Sequence, residues 1–270
     1  MTYSDYSVVL TVYAGEKPEY FELSIESLLK QTKASNDIVV VCDGPLTGDL
    51  DAVLKKYEGL KNFNIVRLSE NHGSGYATQK GLDATKNEVV ARMDSDDISL
   101  ETRMEKELKA INNGLDLVAG WISEFDRDPE KPFSIKTMPC GSKKIIKYSK
   151  KRNPFCNVTL MYRKSKILAI GGYADLMYSE DYTLAIKCLQ ANYKCDNLQE
   201  VLVNVRANSE QIKRRGNKDV RRNVKNLRKY MLKTKYINVF QYLWYNFLTD
   251  IFCLLPGFAK RIVYKKLLRK

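Results

Sequence analysis

The stretch Glu88-Val-Val-Ala-Arg-Met-Asp-Ser-Asp-Asp97 joins a short apolar run to a cluster of acidic residues. Three similar runs, rich in β-branched residues, precede it at 7–13, 37–42 and 64–68. Runs that are apolar at nearly every position are typical of parallel strands buried on both faces of a sheet. Helical patterns separate the runs and begin near Pro18, Leu46 and Gly75. This alternation predicts an α/β fold with a Rossmann-like, mostly parallel sheet flanked by helices.

The regular alternation weakens after Asp97, and the rest of the chain predicts mixed elements. Helices are expected at about 100–112 and 180–191, and strands at 116–125, 157–162 and 201–205. A loop rich in Pro and Lys is expected between the first two of these strands. Asp97 or Ser99 is expected to cap the helix that begins near Leu100. In doubly wound sheets ligands bind beyond the carboxyl ends of the strands, so functional residues should follow the strands.

Three carboxylates lie within four residues at the end of the fourth run, on Asp94, Asp96 and Asp97. Such charges repel one another unless a cation or a hydrogen-bond donor neutralises them. Oxygen ligands of this kind suit Mg²⁺ or Mn²⁺, which also takes phosphate oxygens. The alternative is that the cluster only caps the following helix. We interpret the cluster as a site for a metal ion and a nucleotide.

Several separate motifs, in the family's order, resemble glycosyltransferase family 2, whose members have the GT-A fold. The resemblance covers residues 5–206, and Asp94-Ser95-Asp96 is similar to the Asp-x-Asp motif of the family. The other matching segments are Ser7-Val-Val-Leu-Thr-Val-Tyr13, Ser27-Leu-Leu-Lys-Gln-Thr32, Val41-Cys-Asp-Gly44 and Asn71-His-Gly-Ser-Gly-Tyr-Ala77 with Gly81-Leu82. The resemblance implies that Asp96 is the direct metal ligand and that Asp94 contacts the ribose or the water shell of the metal.

Within that family the chain resembles bacterial O-antigen and exopolysaccharide transferases. The segments that carry this resemblance are Glu16-Lys-Pro-Glu-Tyr20, Asp43-Gly-Pro-Leu46 and Arg214-Arg215-Gly216. Many of these enzymes add galactose or glucose to a sugar that is linked through diphosphate to a polyprenol. The resemblance therefore implies an inverting transfer of a hexose or N-acetylhexosamine from a UDP-sugar to such an acceptor. The product would be O-antigen, capsule or exopolysaccharide.

Residues that follow the strands are expected to bind the nucleotide-sugar. Asp43 follows the second strand, where its carboxylate can accept the imide N–H of uracil or can simply shape an Asp-Gly-Pro turn. Arg92 either neutralises Asp94 or pairs with a surface acid. By resemblance, the base would stack near Tyr13, and Gly73 lets a helix start close to the nucleotide. The expected set is Thr11, Tyr13, Asp43, Gly73, Arg92, Asp94 and Ser95.

Tyr178-Ser-Glu-Asp-Tyr182 contains the only adjacent Glu-Asp pair in the chain and opens a predicted helix. An inverting transferase needs a base that takes the proton of the acceptor hydroxyl. The alternative role is capping of the helix by Ser179 and Glu180. By resemblance Asp181 is the base, and Glu180 orients the acceptor or is the less favoured base.

Two further segments are expected near the sugars by resemblance. Asn157 stands near the acceptor where relatives often carry His, and an amide can hydrogen-bond but cannot titrate. Gly172 belongs to Gly171-Gly172-Tyr173, which resembles the loop beneath the donor sugar. The alternative for this loop is an ordinary left-handed turn after a helix.

The C-terminal part of the chain carries its whole basic excess. Residues 201–270 hold 18 Lys and Arg against three acidic residues, whereas the chain as a whole has a net charge of +13. From Ile237 to Leu255 apolar residues recur with a helical period between basic stretches, which favours a helix lying in an anionic membrane interface. Packing on the catalytic domain or on a dimer partner is the alternative. Arg214 and Arg215, with Lys213, are expected to bind a diphosphate of the acceptor lipid or donor, or to attract lipid headgroups.

We therefore predict two parts. Residues 1–206 form a GT-A catalytic domain, with a nucleotide-binding half at 1–97 and an acceptor-binding half at 98–206, and residues 207–270 form a helical, membrane-associating extension. Without a signal peptide, a spanning segment or paired cysteines, a cytoplasmic protein peripheral on the inner face of the cell membrane is expected. The alternatives are a nucleotidyltransferase, a non-enzymatic membrane scaffold and a nucleic-acid-binding protein. Nucleic acid is not expected as a partner, because the aromatic residues of the tail form one apolar stripe.

Overall fold

The four apolar runs of the first half form the parallel strands of a sheet in the computed structural model, which describes residues 2–173, 179–207 and 218–254. The strands are β1 (Ser7–Val12), β2 (Asp37–Cys42), β3 (Phe63–Arg67) and β4 (Val89–Asp94). The helices between them are α1 (Pro18–Leu29), α2 (Gly48–Tyr57) and α3 (Ser74–Ala84). All three strand pairings among β1–β4 are parallel, so the predicted α/β arrangement is confirmed.

The second half extends the same sheet with strands of both directions. Its strands are β5 (Ile98–Ser99), β6 (Leu117–Phe125), β7 (Ser134–Lys136), β8 (Met161–Arg163) and β9 (Cys195–Arg206). Its helices are α4 (Arg103–Asn112), α5 (Ser142–Ser149), α6 (Lys164–Ala169) and α7 (Glu180–Gln190). The strand order is β3-β2-β1-β4-β8-β6-β9-β5, with β7 beside β6. Strand β8 is antiparallel to both β4 and β6, whereas β9 is parallel to β6.

The core lies on both faces of this sheet because successive side chains of a strand point to opposite sides. Val8 and Leu10 of β1 belong to one buried cluster, together with Phe21 of α1. Val9 belongs to a second cluster with Leu184 of α7. Burial of each such side chain stabilises the fold by about 1.5–3 kcal/mol. The two clusters fix the orientation of the sheet between its helices.

Three sequence predictions for the second half were wrong in detail. The expected strand at 157–162 begins as a 3-10 helix, Asn157–Thr159, because Thr159 N–H donates to the carbonyl of Cys156, and only β8 is extended. The expected Pro- and Lys-rich loop contains β7 and α5. Neither Asp97 nor Ser99 caps α4, whose N-cap is Thr102. Asp97 Oδ1 instead accepts the backbone N–H of Arg206, at 2.8 Å.

Two helices, α8 (Lys218–Lys233) and α9 (Val239–Leu254), follow the sheet. Leu227 and Met231 of α8 pack against Tyr182 and Ile186 of α7. Arg228 of α8 donates to the carbonyl of Tyr245 in α9 at 2.7 Å. Within the described ranges, no helix is long and apolar enough to cross a membrane. Leu255, the last residue of the helical pattern found in the sequence, lies outside the described residues.

Candidate active site

A cavity of about 590 Å³ opens at the carboxyl ends of β1 and β2. The ends of these strands supply one wall, and the first residues of α3 and α7 supply others. The lining residues are Thr11, Val12, Tyr13, Asp43, Asn71, Gly73, Ser74, Asn157, Ser179, Glu180 and Asp181. The cavity therefore brings together residues that the sequence predicted for the nucleotide, for the acceptor and for catalysis.

Asp43 organises the loop that leads into α3. Its Oδ1 accepts the backbone N–H of His72 at 2.8 Å, and its Oδ2 accepts that of Gly73 at 2.9 Å. Gly44 has a φ of 88°, and a Cβ there would lie 2.9 Å from the backbone nitrogen of Asn71. Each carboxylate oxygen has two lone pairs, so Asp43 keeps acceptor capacity on the cavity side. Asp43 therefore holds the turn before α3 through the backbone of His72 and Gly73.

Tyr13 presents an aromatic ring at the mouth of the cavity, with 41% of the residue exposed. The ring folds over Gly15, where a Cβ would lie 2.4 Å from the ring atom Cε2. Thr11 pairs with Asp94 across β1 and β4, so the acidic cluster begins beside the cavity wall. A side chain larger than hydrogen at residue 15 would displace the ring.

Arg92 pairs with Asp94 rather than with a surface acid, with 2.7 Å between Nη2 and Oδ1. Arg92 is 2% exposed, and its Nε and Nη1 groups have no hydrogen-bond partner within the described residues. Burial opposes the charged form, but Asp94, Tyr173 and Glu180 outweigh it and hold the pKa of the guanidinium above its usual value. A buried cation with two unpaired donors therefore lies beneath the site.

The three carboxylates of the acidic cluster lie close enough to influence one another. Burial raises the pKa of Asp97 well above its usual value, and the charges of Asp96 and Asp94 raise it further. Within the residues described, no group of three His, Cys, Asp or Glu side chains is arranged to hold a metal ion. Asp94 and Asp96 nevertheless fit Mg²⁺ or Mn²⁺, since these ions are commonly held by one or two carboxylates plus phosphate oxygens and water.

The carboxylate pair at the start of α7 faces the same cavity. Ser74 donates to Glu180 Oε1 at 2.5 Å, and burial together with Asp181 raises the pKa of Glu180 to about 7. Asn153 donates to Asp181 Oδ2 at 2.8 Å. Ser179 has a φ of 70° and its side chain does not cap the helix. Simple capping by Ser179 and Glu180 therefore does not account for this segment.

Two predicted sugar-binding residues differ in their placement. Asn157 lines the cavity, and its buried Oδ1 has no partner within the described residues. Gly172 does not line it and instead ends α6 in a left-handed turn, with a φ of 61°. A Cβ on Gly172 would lie 2.1 Å from Oε1 of Gln79. Arg214 and Arg215 lie outside the described residues.

Three residues of the site were missed by sequence reasoning. The guanidinium of Arg206 lies between two aromatic rings, with 3.7 Å from its Cζ to the centroid of Tyr20 and 4.6 Å to that of Phe125. Its Nε donates to the carbonyl of Asp96 at 3.3 Å. Ser95 donates to Glu16 at 3.0 Å, and Ser74 holds Glu180. Arg206 ends β9 and Glu16 follows β1. The tendency of ligands to bind beyond the carboxyl ends of strands was therefore the signal that could have identified both residues.

The mixed sheet, with acidic residues at the end of β4 and a carboxylate pair across the cavity, is the arrangement of a sugar-transferring enzyme with the GT-A fold. The model of glycosyl transferase family 2 matches residues 7–170, and the chain belongs to that family. This membership confirms the resemblance and favours none of the alternative classes.

Two relatives and one solved structure illustrate the likeness. UDP-Gal:alpha-D-GlcNAc-diphosphoundecaprenol beta-1,3-galactosyltransferase of Escherichia coli is 31% identical, over 98% of this chain and 97% of the relative. The amylovoran biosynthesis glycosyltransferase AmsE of Erwinia amylovora is 35% identical, over 78% of this chain and 80% of the relative. The structure of S. aureus TarS 1-349 in complex with UDP-GlcNAc aligns at 18% identity, with a TM-score of 0.63 over 84% of this chain. This chain spans 66% of that TarS chain, and the likeness confirms the fold.

Proposed function

We propose that the protein transfers a hexose or N-acetylhexosamine from a UDP-sugar to a saccharide linked through diphosphate to a polyprenol, with inversion at the anomeric carbon. The observation that carries the proposal is that one cavity is lined by Tyr13 and Asp43 and also by Asp181. The E. coli relative, which is similar over nearly its full length and is named for a UDP-Gal donor and a GlcNAc-diphosphoundecaprenol acceptor, supports this type of donor and acceptor. Both relatives support a role in bacterial surface polysaccharide synthesis.

The donor is proposed to lie along the ends of β1, β2 and β4. Tyr13 would stack on the base and Asp43 would accept the imide N–H of uracil. Thr11, Gly73 and Ser95 complete the proposed contacts of the nucleotide-sugar. Arg92 would add positive charge beneath the donor, because it is buried and two of its donor groups lack a hydrogen-bond partner among the described residues.

Asp96, with Asp94, would hold Mn²⁺ or Mg²⁺. When bound, the cation supplies positive charge that stabilises the departing diphosphate. Arg206 would keep these carboxylates in place. Its side chain donates to the carbonyl of Asp96, and its backbone N–H donates to Asp97 Oδ1.

Asp181 is the proposed base. The acceptor hydroxyl oxygen forms a bond to the anomeric carbon while the bond from that carbon to the β-phosphate oxygen of UDP breaks. UDP leaves with the electron pair of that bond, and the hydroxyl proton passes to Asp181. Asn153 would orient the carboxylate, since it donates to Oδ2 while the backbone N–H of Tyr182 donates to Oδ1. Glu180 would orient the acceptor with Asn157 and is the less favoured base.

The division at 1–97, 98–206 and 207–270 is part of the proposal, and the last part would bind an anionic membrane on the cytoplasmic side. Exposed apolar side chains on α9 support this. They are Val239, Phe240, Leu243, Trp244, Phe247, Leu248 and Ile251, and Phe240 is 85% exposed. The basic residues of α8 would add attraction to anionic lipid. Arg214 and Arg215, with Lys213, would bind a diphosphate of the acceptor lipid or of the donor, or attract lipid headgroups.

A screen of UDP-sugars for metal-dependent release of UDP tests the function, with a synthetic GlcNAc-diphosphate-lipid as acceptor. We expect one donor to be consumed only when Mn²⁺ or Mg²⁺ and acceptor are both present. Asp181→Asn should lower the transfer rate by about 10²–10⁴-fold, because proton transfer is lost. The matched control is Glu58→Gln, at an exposed carboxylate after α2. Full turnover by Asp181→Asn would remove the base assignment, and failure to bind any UDP compound with Mn²⁺ would remove the function.

A further inference from the structure

The run of residues 143–152, here called the basic segment, concentrates positive charge on the catalytic domain. It contains Lys143, Lys144, Lys147, Lys150, Lys151 and Arg152 and no acidic residue. All of these side chains are exposed except that of Lys150, which is half-buried. None of the six forms an ion pair with a carboxylate in the part of the chain that the structure describes. This charge is therefore available to an anionic ligand.

The basic segment is fastened to the catalytic helix and to the tail. It includes most of α5, whose last residue, Ser149, is fully buried. The carbonyl of Ser149 accepts the hydroxyl of Tyr182 at 2.6 Å, one residue after Asp181. The hydroxyl of Ser149 lies 2.6 Å from that of Tyr236, three residues before α9 begins at Val239. The end of the segment is thus held between the start of α7 and the start of α9.

The C-terminal end of the basic segment leads directly to the proposed base. Asn153, the next residue, donates to Asp181 Oδ2 at 2.8 Å. Consecutive Cα atoms are about 3.8 Å apart, so Arg152 and Lys151 lie one and two peptide units, respectively, from the residue that orients Asp181. An acceptor sugar whose hydroxyl loses its proton to Asp181 carries its diphosphate on the anomeric carbon of the same ring. The anionic group therefore lies about one ring's width from the base.

We infer that Lys150, Lys151 and Arg152 bind the diphosphate of the lipid-linked acceptor, an inference that rests on the proposed function. The guanidinium of Arg152 can bind phosphate oxygens in a bidentate manner, and the two ammonium groups supply point charges. Since Tyr236 connects this end of α5 to the start of α9, the lipid chain leaves the diphosphate toward the exposed apolar face of α9. The segment then joins the membrane surface to the catalytic carboxylate.

The test uses the full chain with Lys151→Gln and Arg152→Gln together, which leaves the half-buried Lys150 in place. The control carries Lys55→Gln and Lys61→Gln, two exposed lysines of α2 and the loop after it. The probe is a water-soluble GlcNAc-diphosphate with a short alkyl chain, without vesicles. We expect its KM and its Kd by calorimetry to rise about tenfold in the variant only, because charge-assisted contacts are lost. The KM of the UDP-sugar and the melting temperature should not change.

A second acceptor separates the diphosphate from the sugar. With an alkyl GlcNAc glycoside that has no diphosphate, variant and control should have the same KM. Equal affinity of both proteins for the diphosphate probe would overturn the inference, as would a defect seen only with anionic vesicles, which would assign the segment to lipid headgroups. If the unmodified chain transfers no sugar, the proposed function fails, but the calorimetric comparison still decides whether the segment binds the diphosphate.

Discussion

Glu180 shows how one side chain can be kept protonated near neutral pH at a site that handles protons. It is 7% exposed, and burial and the charge of Asp181 raise its pKa to about 7, while the hydroxyl of Ser74 stabilises the ionised form. A carboxyl group whose pKa is raised in the folded state destabilises that state once it ionises. The free energy of unfolding should therefore fall as pH rises from about 4.5 to above 7.

Substitution of Glu180 by Gln should remove this pH dependence. The amide oxygen can still accept from Ser74, but no charge forms at high pH. At pH 8 we expect the free energy of unfolding of Glu180→Gln to exceed that of the unmodified chain by about 1–3 kcal/mol. At pH 5 the difference between the two proteins should nearly vanish. Urea denaturation at both pH values measures it. A stability difference that is the same at pH 5 and pH 8 would show that Glu180 is not buried as a charge-sensitive group.

Arg206 acts at the scale of elements, since it ties the end of β9 to the turn after β4. Its side chain binds the carbonyl of Asp96 and lies between the rings of Tyr20 and Phe125. Arg206→Ala should lower the affinity for UDP with Mn²⁺ by tenfold or more, because the carboxylates lose a fixed position. Arg206→Lys keeps the charge without the planar guanidinium. Its affinity for UDP with Mn²⁺ should lie between those of the unmodified chain and of Arg206→Ala.

The matched control for Arg206 is Arg163→Ala. Arg163 also stacks on an aromatic ring, with 5.7 Å from its Cζ to the centroid of Tyr3. Both alanine variants should lose stability in thermal unfolding, but only Arg206→Ala should lose affinity for UDP in calorimetry with Mn²⁺. Loss of affinity in both variants, in proportion to their stability, would reduce Arg206 to a structural residue.

The elements that could be predicted from sequence are those with a clear local pattern. Strands β1–β4 were predicted within two residues, because β1, β2 and β4 are buried on both faces and so are almost continuously apolar, and the half-buried β3 still contains Ile65 and Val66. Helix α5 was not predicted, since only Ile145 and Ser149 of its eight residues are buried. With so few buried positions among its lysines, the helical period of apolar residues is not visible in the sequence. Arg206 and Glu16 were missed because their roles depend on residues 110 and 79 positions away in the chain. Local pattern carries no information about such contacts.

At the scale of the whole molecule, the two halves of the sheet meet at one cavity. The parallel half supplies Thr11 and Asp43, and α7, which follows the mixed half, supplies Glu180 and Asp181. The helices of the tail then pack on α7 through Leu227 and Met231. The tail therefore packs on the same helix, α7, that contains the proposed base Asp181. Binding of the tail to a membrane would place the cavity close to a lipid-linked acceptor.

Helix α9 should provide the apolar part of that binding. Phe240 is 85% exposed and Trp244 is 56% exposed, so replacement of both by Ser removes surface that is already in water and should not unfold the chain. Each aromatic side chain that enters the interface contributes about 1.5–3 kcal/mol when fully buried, so we expect the double variant to bind anionic vesicles at least tenfold more weakly in co-sedimentation. Leu60→Ser, at a residue 40% exposed after α2, is the control and should bind normally. High salt should weaken the binding of the unmodified chain to anionic vesicles, because basic residues add attraction to anionic lipid. Undiminished sedimentation of the double variant would assign the exposed face to a protein partner instead.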